Sequence, residues 1–172
     1  MLACVDVDYR PSGVVAAALG FEAWADDDAR EAQTFRSVAP PAPYQPGQFY
    51  RRELPYLLNV LGLLSAPPDT VIIDGYVWLA DDAPGLGAHL FEALQGGARV
   101  VGVAKRPFRG ATNAVPVLRG GSQVPLYVTA AGMPVDEAAR GVAAMHGAHR
   151  LPTLLKRVDR LCRDTPLGVG AT

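Results

Sequence analysis

Acidic residues are missing from a long central stretch of this chain. Asp and Glu number 17 in all, yet none lies between residues 93 and 135, where Arg99, Lys105, Arg106, Arg109 and Arg119 stand. Cysteine is almost absent. Cys4 and Cys162 cannot make a disulfide framework, so the chain reads as intracellular and reduced. Two Cys and three His (His89, His146, His149) at these spacings exclude a zinc cluster. There is no long hydrophobic run either. The most apolar stretch, Leu54 to Ala66, is too short to span a bilayer and contains Asn59 and Gly62. The opening MLACVDVD lacks a basic segment and is interrupted by Asp6, so it reads as a strand and not as a signal peptide. The 18 Gly and 15 Pro follow no period, which excludes a collagen-like repeat.

The rest of the composition belongs to a folded protein. Of 172 residues, 49% are hydrophobic and 19% charged, with mean hydropathy +0.12, which excludes disorder over most of the chain. We expect a soluble, cytoplasmic protein with one domain over residues 1–165 and a frayed tail over 166–172. The net charge of -1 conceals an uneven distribution: residues 1–98 carry 13 acids and 5 bases, and residues 136–172 carry 4 acids and 6 bases. The acid-free stretch between them suits a polyanion, or is the solvated face of an Arg-rich chain.

Leu2 to Tyr9 reads as a strand followed by the turn Arg10-Pro11-Ser12-Gly13. Val14 to Trp24 is a second apolar run, and Glu31 to Val38 alternates as a half-buried strand does. Short turns between them predict a three-strand antiparallel meander. Pro40, Pro41, Pro43 and Pro46 force an extended loop. Phe49 to Leu64 has helical spacing of leucines, with Pro55 near its start. Thr70 to Asp74 and Arg99 to Ala104 read as buried strands, Gly75 to Pro84 as a loop, and Leu86 to Leu94 as a helix. Val124 to Thr129 reads as a strand, and Val135 to Met145 and Leu151 to Cys162 as helices. This order predicts an α/β mixed sheet, an antiparallel meander plus parallel strands joined by helices, with helices on both faces.

Asp6 interrupts an apolar strand, where a carboxylate is costly unless paired or bound to a metal. Asp8 shares its face, because strand side chains alternate. Asp74 ends a buried strand at its carboxyl edge, where open α/β sheets place ligands. Glu53 falls in the first helical turn beside Arg51 and Arg52. If the first and fourth strands are neighbours, Asp6 and Asp74 converge, and a divalent cation would relieve their repulsion. Oxygen ligands suit Mg²⁺ or Mn²⁺. Equally, Asp74 caps the next loop and Glu53 complements a helix dipole.

Several segments, in order, resemble the endonuclease V family, which has an RNase H-like fold. Ala3-Cys4-Val5-Asp6-Val7-Asp8-Tyr9 is similar to the family's first strand with its metal-binding Asp. Pro43-Tyr44-Gln45-Pro46-Gly47 resembles its PYxPG wedge loop, and Tyr50-Arg51-Arg52-Glu53-Leu54-Pro55 its FRExP segment. Val71-Ile72-Ile73-Asp74-Gly75 is similar to the apolar strand ending in Asp-Gly. Gly85-Leu86-Gly87-Ala88-His89 falls where the family has G-x-A-S-H. Val101-Gly102-Val103-Ala104-Lys105-Arg106 is close to its GVAKK strand and loop, and Pro125-Leu126-Tyr127-Val128-Thr129 resembles its late strand. The departures fall at histidines. Tyr76 and Ala80 stand where the family has His, and Thr129-Ala130-Ala131 where it has a TGH-like segment.

The resemblance implies a metal-dependent endonuclease, cutting a phosphodiester bond near deoxyinosine in DNA or inosine in RNA. Asp6, Asp74 and Glu53 would hold Mg²⁺ or Mn²⁺ and, with Lys105, form the catalytic set. Tyr44, Pro46, Gly47, Gly85, His89, Lys105 and Arg106 would contact nucleic acid. The missing histidines leave a second reading open, a non-catalytic nucleic-acid-binding homologue.

Overall fold

The structure, a computed structural model, describes residues 1–38 and 49–168. The Tyr44, Pro46 and Gly47 loop lies outside the described residues. Among the described residues, nine strands and four helices follow in the order β1 (Leu2–Arg10), β2 (Gly13–Phe21), β3 (Glu31–Ser37), α1 (Phe49–Leu61), β4 (Thr70–Asp74), β5 (Trp78–Ala80), β6 (Ala83–Pro84), α2 (Leu86–Ala93), β7 (Arg99–Ala104), β8 (Val115–Val117), β9 (Leu126–Ala131), α3 (Val135–Ala144) and α4 (Thr153–Asp164). Seven strands form one sheet in the order β3-β2-β1-β4-β7-β9-β8. The meander is as expected: β1 pairs antiparallel with β2, and β2 with β3. β4 lies parallel to both β1 and β7, the latter reached through α2.

The sheet departs from the expected parallel half at one edge. β9 runs antiparallel to β7 and takes β8 as its own antiparallel neighbour. No helix separates β7 from β9, so the chain returns through a loop and reverses direction. β8 was not expected, because Val115-Pro116-Val117 is too short to show alternation. The segment read as a loop, Gly75 to Pro84, contains the small β5–β6 ribbon.

Helices cover both faces, as the pattern requires. α1 and α2 pack Leu57, Val60, Leu61 and Leu90 on Ala3, Val5, Val71, Ile73 and Val100. α3 and α4 pack Val142, Leu154, Leu155 and Val158 on Cys4, Ile72, Val101 and Val128. β2 is buried along its whole length, consistent with its run of small apolar residues. α1 holds Pro55 in its interior and not near its start. The missing N–H leaves one carbonyl of the preceding turn without its helical partner, while Asn59 Nδ2 donates to the Pro55 carbonyl at 2.8 Å. Among the described residues no helix is long and apolar enough to cross a membrane.

Candidate active site

Strand register brings the two aspartates side by side. The β1–β4 ladder pairs Val5 with Ile73, so Asp6 and Asp74 are the next residues on adjacent parallel strands, at the carboxyl end of β4. Asp74 in turn pairs with Val103 of β7, and Lys105 follows at that strand's end. Alternation places Asp6, Asp74 and Lys105 on the α3–α4 side, in line with the buried Cys4, Ile72 and Val103. Lys105 Nζ donates to Asp74 Oδ2 at 2.6 Å, with both side chains about two-fifths exposed (44% and 40%).

Glu53 reaches the same place from the other face. It is the fifth residue of α1, in the second turn, not the first. With Asp6 and Asp74 it lines one small cavity, walled by Val5, Val7, Leu57, Ile73 and Leu86. A second small cavity holds Asp6, Asp74 and Lys105 over Leu151, Leu155 and Val158. The expected carboxylate trio therefore shares one site. Among the described residues no three His, Cys, Asp or Glu side chains close on a single point as metal ligands do.

The electrostatics of the trio are strained. Burial pushes the Asp6 carboxyl up to about 7, aided by the charges of Asp74 and Asp159. The Val7 N–H, donating to Asp6 Oδ1 at 2.9 Å, and Lys105 oppose the shift. Burial also pushes Glu53 up to about 8, with Asp6 and Asp74 adding to it and Arg52 resisting. Asp8, expected to share the Asp6 face, is drawn off by Arg10, whose Nε donates to it at 2.7 Å. Arg10 also donates to the carbonyls of Cys162, Arg163 and Thr165, tying β1 to the end of α4.

Asp159 was not singled out in the sequence. It projects from α4, where Arg163 Nε donates to it at 3.0 Å, and its charge bears on Asp6. The one available signal was a lone acid inside the basic run from Lys156 to Arg163.

Beside Asp74 opens a larger pocket of about 260 Å³, lined by Tyr50, Asp74, Gly75, Tyr76, Leu79, Pro84, Gly85 and Leu86. Two close approaches fix the chain that borders it. A Cβ on Gly102 would meet the Gly75 carbonyl oxygen at 2.5 Å, and one on Gly85 would meet that of Tyr76 at 2.6 Å. The chain after Asp74 thus lies directly on β7 and on the start of α2. Val77 N–H donates to the buried Thr129 hydroxyl at 2.8 Å and fixes that path. Gly85 borders the pocket itself. His89 lies behind it, stacked on Tyr50 with ring centroids 3.5 Å apart. Tyr76 donates its hydroxyl to the Arg106 carbonyl at 2.7 Å, and the Arg106 side chain is exposed beyond it. Arg119, part of the acid-free stretch, is instead buried and spent on backbone carbonyls of the α3–α4 connection.

A mixed sheet with helices on both faces and carboxylates gathered beside the end of its central parallel strand defines an RNase H-like α/β domain with an acidic active-site candidate. Residues 1–151 match the family model of Endonuclease V. The chain belongs to the endonuclease V family, whose members are endonucleases, hydrolases of phosphodiester bonds. It is 33% identical over 183 residues to endonuclease V of Streptomyces avermitilis, covering 92% of this chain and 77% of that protein. It is 36% identical over 169 residues to endonuclease V of Rhodospirillum centenum, covering 86% and 69%. The crystal structure of the Streptomyces avermitilis protein superposes with a TM-score of 0.75 at 30% identity, covering 94% of this chain and 79% of that one. Endonuclease V of Ciona intestinalis, in complex with a 23mer DNA containing an inosine followed by a ribo-adenosine, shares the fold. Its TM-score is 0.74 at 18% identity, with 94% and 83% covered.

Proposed function

We propose that this chain is a metal-dependent endonuclease that hydrolyses a phosphodiester bond near a deaminated base, deoxyinosine in DNA or inosine in RNA. The observation that carries the reading is the shared site of Asp6, Glu53 and Asp74 with Lys105 on its rim. The inosine-containing DNA held by the Ciona relative supports the substrate class.

The donor set does not close on one point, yet its chemistry suits a hard divalent cation. Every donor is a carboxylate oxygen, and two of the three are pushed up by burial and by neighbouring carboxylate charge. Asp6, Glu53 and Asp74 would hold Mg²⁺ or Mn²⁺. The chemistry supplied by such an ion would be a more acidic water and offset charge on the phosphate.

The chain's own groups do the positioning. Lys105 offsets the charge of Asp74 and presents an ammonium to an incoming phosphate. The 260 Å³ pocket beside Asp74, with Tyr50, Tyr76 and Leu86 in its wall, takes a base turned out of its stack. Gly75 and Gly85 border that pocket without a side chain. Tyr44, Pro46 and Gly47 would part the strands beside it, Arg106 would contact phosphate, and His89 would support the base through Tyr50.

A second reading, a nucleic-acid-binding homologue without nuclease activity, is favoured by Tyr76. It stands at a family histidine position and its hydroxyl is committed to the Arg106 carbonyl. Incubation of an inosine-containing oligonucleotide with Mg²⁺ or Mn²⁺ separates the two. Nicking that is lost in Asp6→Ala and Asp74→Ala supports the nuclease. Binding without nicking at any level of either metal supports the second reading.

A further inference from the structure

A second groove lies outside the carboxylate site. It has a volume of about 590 Å³ and runs between the α3–α4 connection and the polar face of α4. Lys156, Arg157, Arg160, His146 and His149 line it, with Asp159 as its one carboxylate. Their charges are not equally free. Arg157 is engaged by Asp28 at 2.6 Å, and Asp159 by Arg163. Among the described residues, Lys156 and Arg160 form no ion pair. They stand four residues apart, one helical turn, on the same face of α4 and both exposed.

The groove adjoins the site. Leu151 lines both this groove and the cavity of Asp6, Asp74 and Lys105, and the charge of Asp159, in the groove wall, bears on Asp6. Its wall is also held in place. Arg119 donates to the carbonyls of Met145, Gly147, His149 and Arg150. Arg150 donates to the Lys105 and Pro125 carbonyls, which ties this wall to the residue paired with Asp74. A wall fixed in advance lowers the ordering cost of a ligand.

We propose that this groove binds the sugar–phosphate backbone of the substrate strand flanking the cleavage point, through Lys156 and Arg160; the inference rests on the nuclease-class reading above. A free cationic pair in a concave, preset channel that adjoins a phosphodiester-cleaving site matches a polyanion running through that site. The contacts are to phosphate, so they add affinity without selecting sequence or the deaminated base.

The test is the salt dependence of binding, read by fluorescence anisotropy with an inosine-containing oligonucleotide and an undamaged one of the same length. Lys156→Gln/Arg160→Gln is compared with wild type and with Arg99→Gln, whose charge sits at the opposite end of the sheet, with thermal melts confirming that each is folded. Two lost phosphate contacts should make the log–log salt slope shallower by about 1.4 to 1.8, equally on both oligonucleotides, while Arg99→Gln matches wild type. Wild-type binding with an unchanged slope in the double variant overturns the groove and leaves the nuclease reading standing. Absence of any salt-dependent binding by the wild type overturns both.

Discussion

Replacing Glu53 by Gln should make the metal-free protein more stable at alkaline pH while removing its activity. The folded-state values of Asp6 and Glu53, about 7 and about 8, lie above those of exposed carboxyls. Between about pH 4 and pH 8 the folded chain therefore holds protons that the unfolded chain has released. The stability contributed by these two groups is greatest below that window and falls as pH rises through it. One pKa unit corresponds to about 1.4 kcal/mol, so an upward shift of about three units would cost ~4 kcal/mol per group. Both side chains are only half-buried, and water screens part of that; about 2 kcal/mol each is expected. In EDTA at pH 8.5, Glu53→Gln should then be about 2 kcal/mol more stable than wild type, roughly 4–8 °C in Tm for a chain of this size. At pH 4.5 the two should nearly coincide, because Glu53 is protonated in the folded protein. Mg²⁺ should raise the wild-type Tm more at pH 8.5 than at pH 6, and raise that of the variant less. Thermal melts across this pH range, with and without metal, provide the check. A pH-independent wild type, or a variant less stable than wild type at pH 8.5, would refute the reasoning.

Asp74→Asn should abolish nicking yet leave the fold intact, because Asp74 sits at the exposed end of β4; a collapse of the melting transition would show a structural role instead. Lys105→Ala should slow nicking by about 10²-fold and make the salt slope of binding shallower by about one unit, measured by single-turnover cleavage and anisotropy. Gly102→Val should destabilise by about 3 kcal/mol or more, since its side chain would meet the Gly75 carbonyl oxygen and Thr129; urea unfolding reads this directly, and a neutral result would mean the chain after Asp74 shifts easily. Tyr50→Ala should weaken preference for inosine over an undamaged base more than it weakens overall binding, read from competition between the two oligonucleotides.

Local chemistry was enough to reveal most elements and to mark Asp6 and Asp74, while Glu53 joined them only through the family resemblance. Apolar runs, proline breaks and helical leucine spacing are properties of short segments, and a carboxylate amid valines stands out wherever the chain folds. The meander, the β4–α2–β7 crossover and the two-faced helix cover follow from connection length. Other features depended on pairings distant in sequence. The antiparallel return of β9 and the addition of β8 at the edge required knowledge of which strand lay beside β7. That Asp6 and Asp74 are adjacent is a matter of β1–β4 register, and a slip by one residue would have turned Asp6 away. Asp159 and the groove of Lys156 and Arg160 were least legible. On an amphipathic helix a charged face is the ordinary solvated one, and only the packing of α4 beneath Asp6 gives those side chains a site to face.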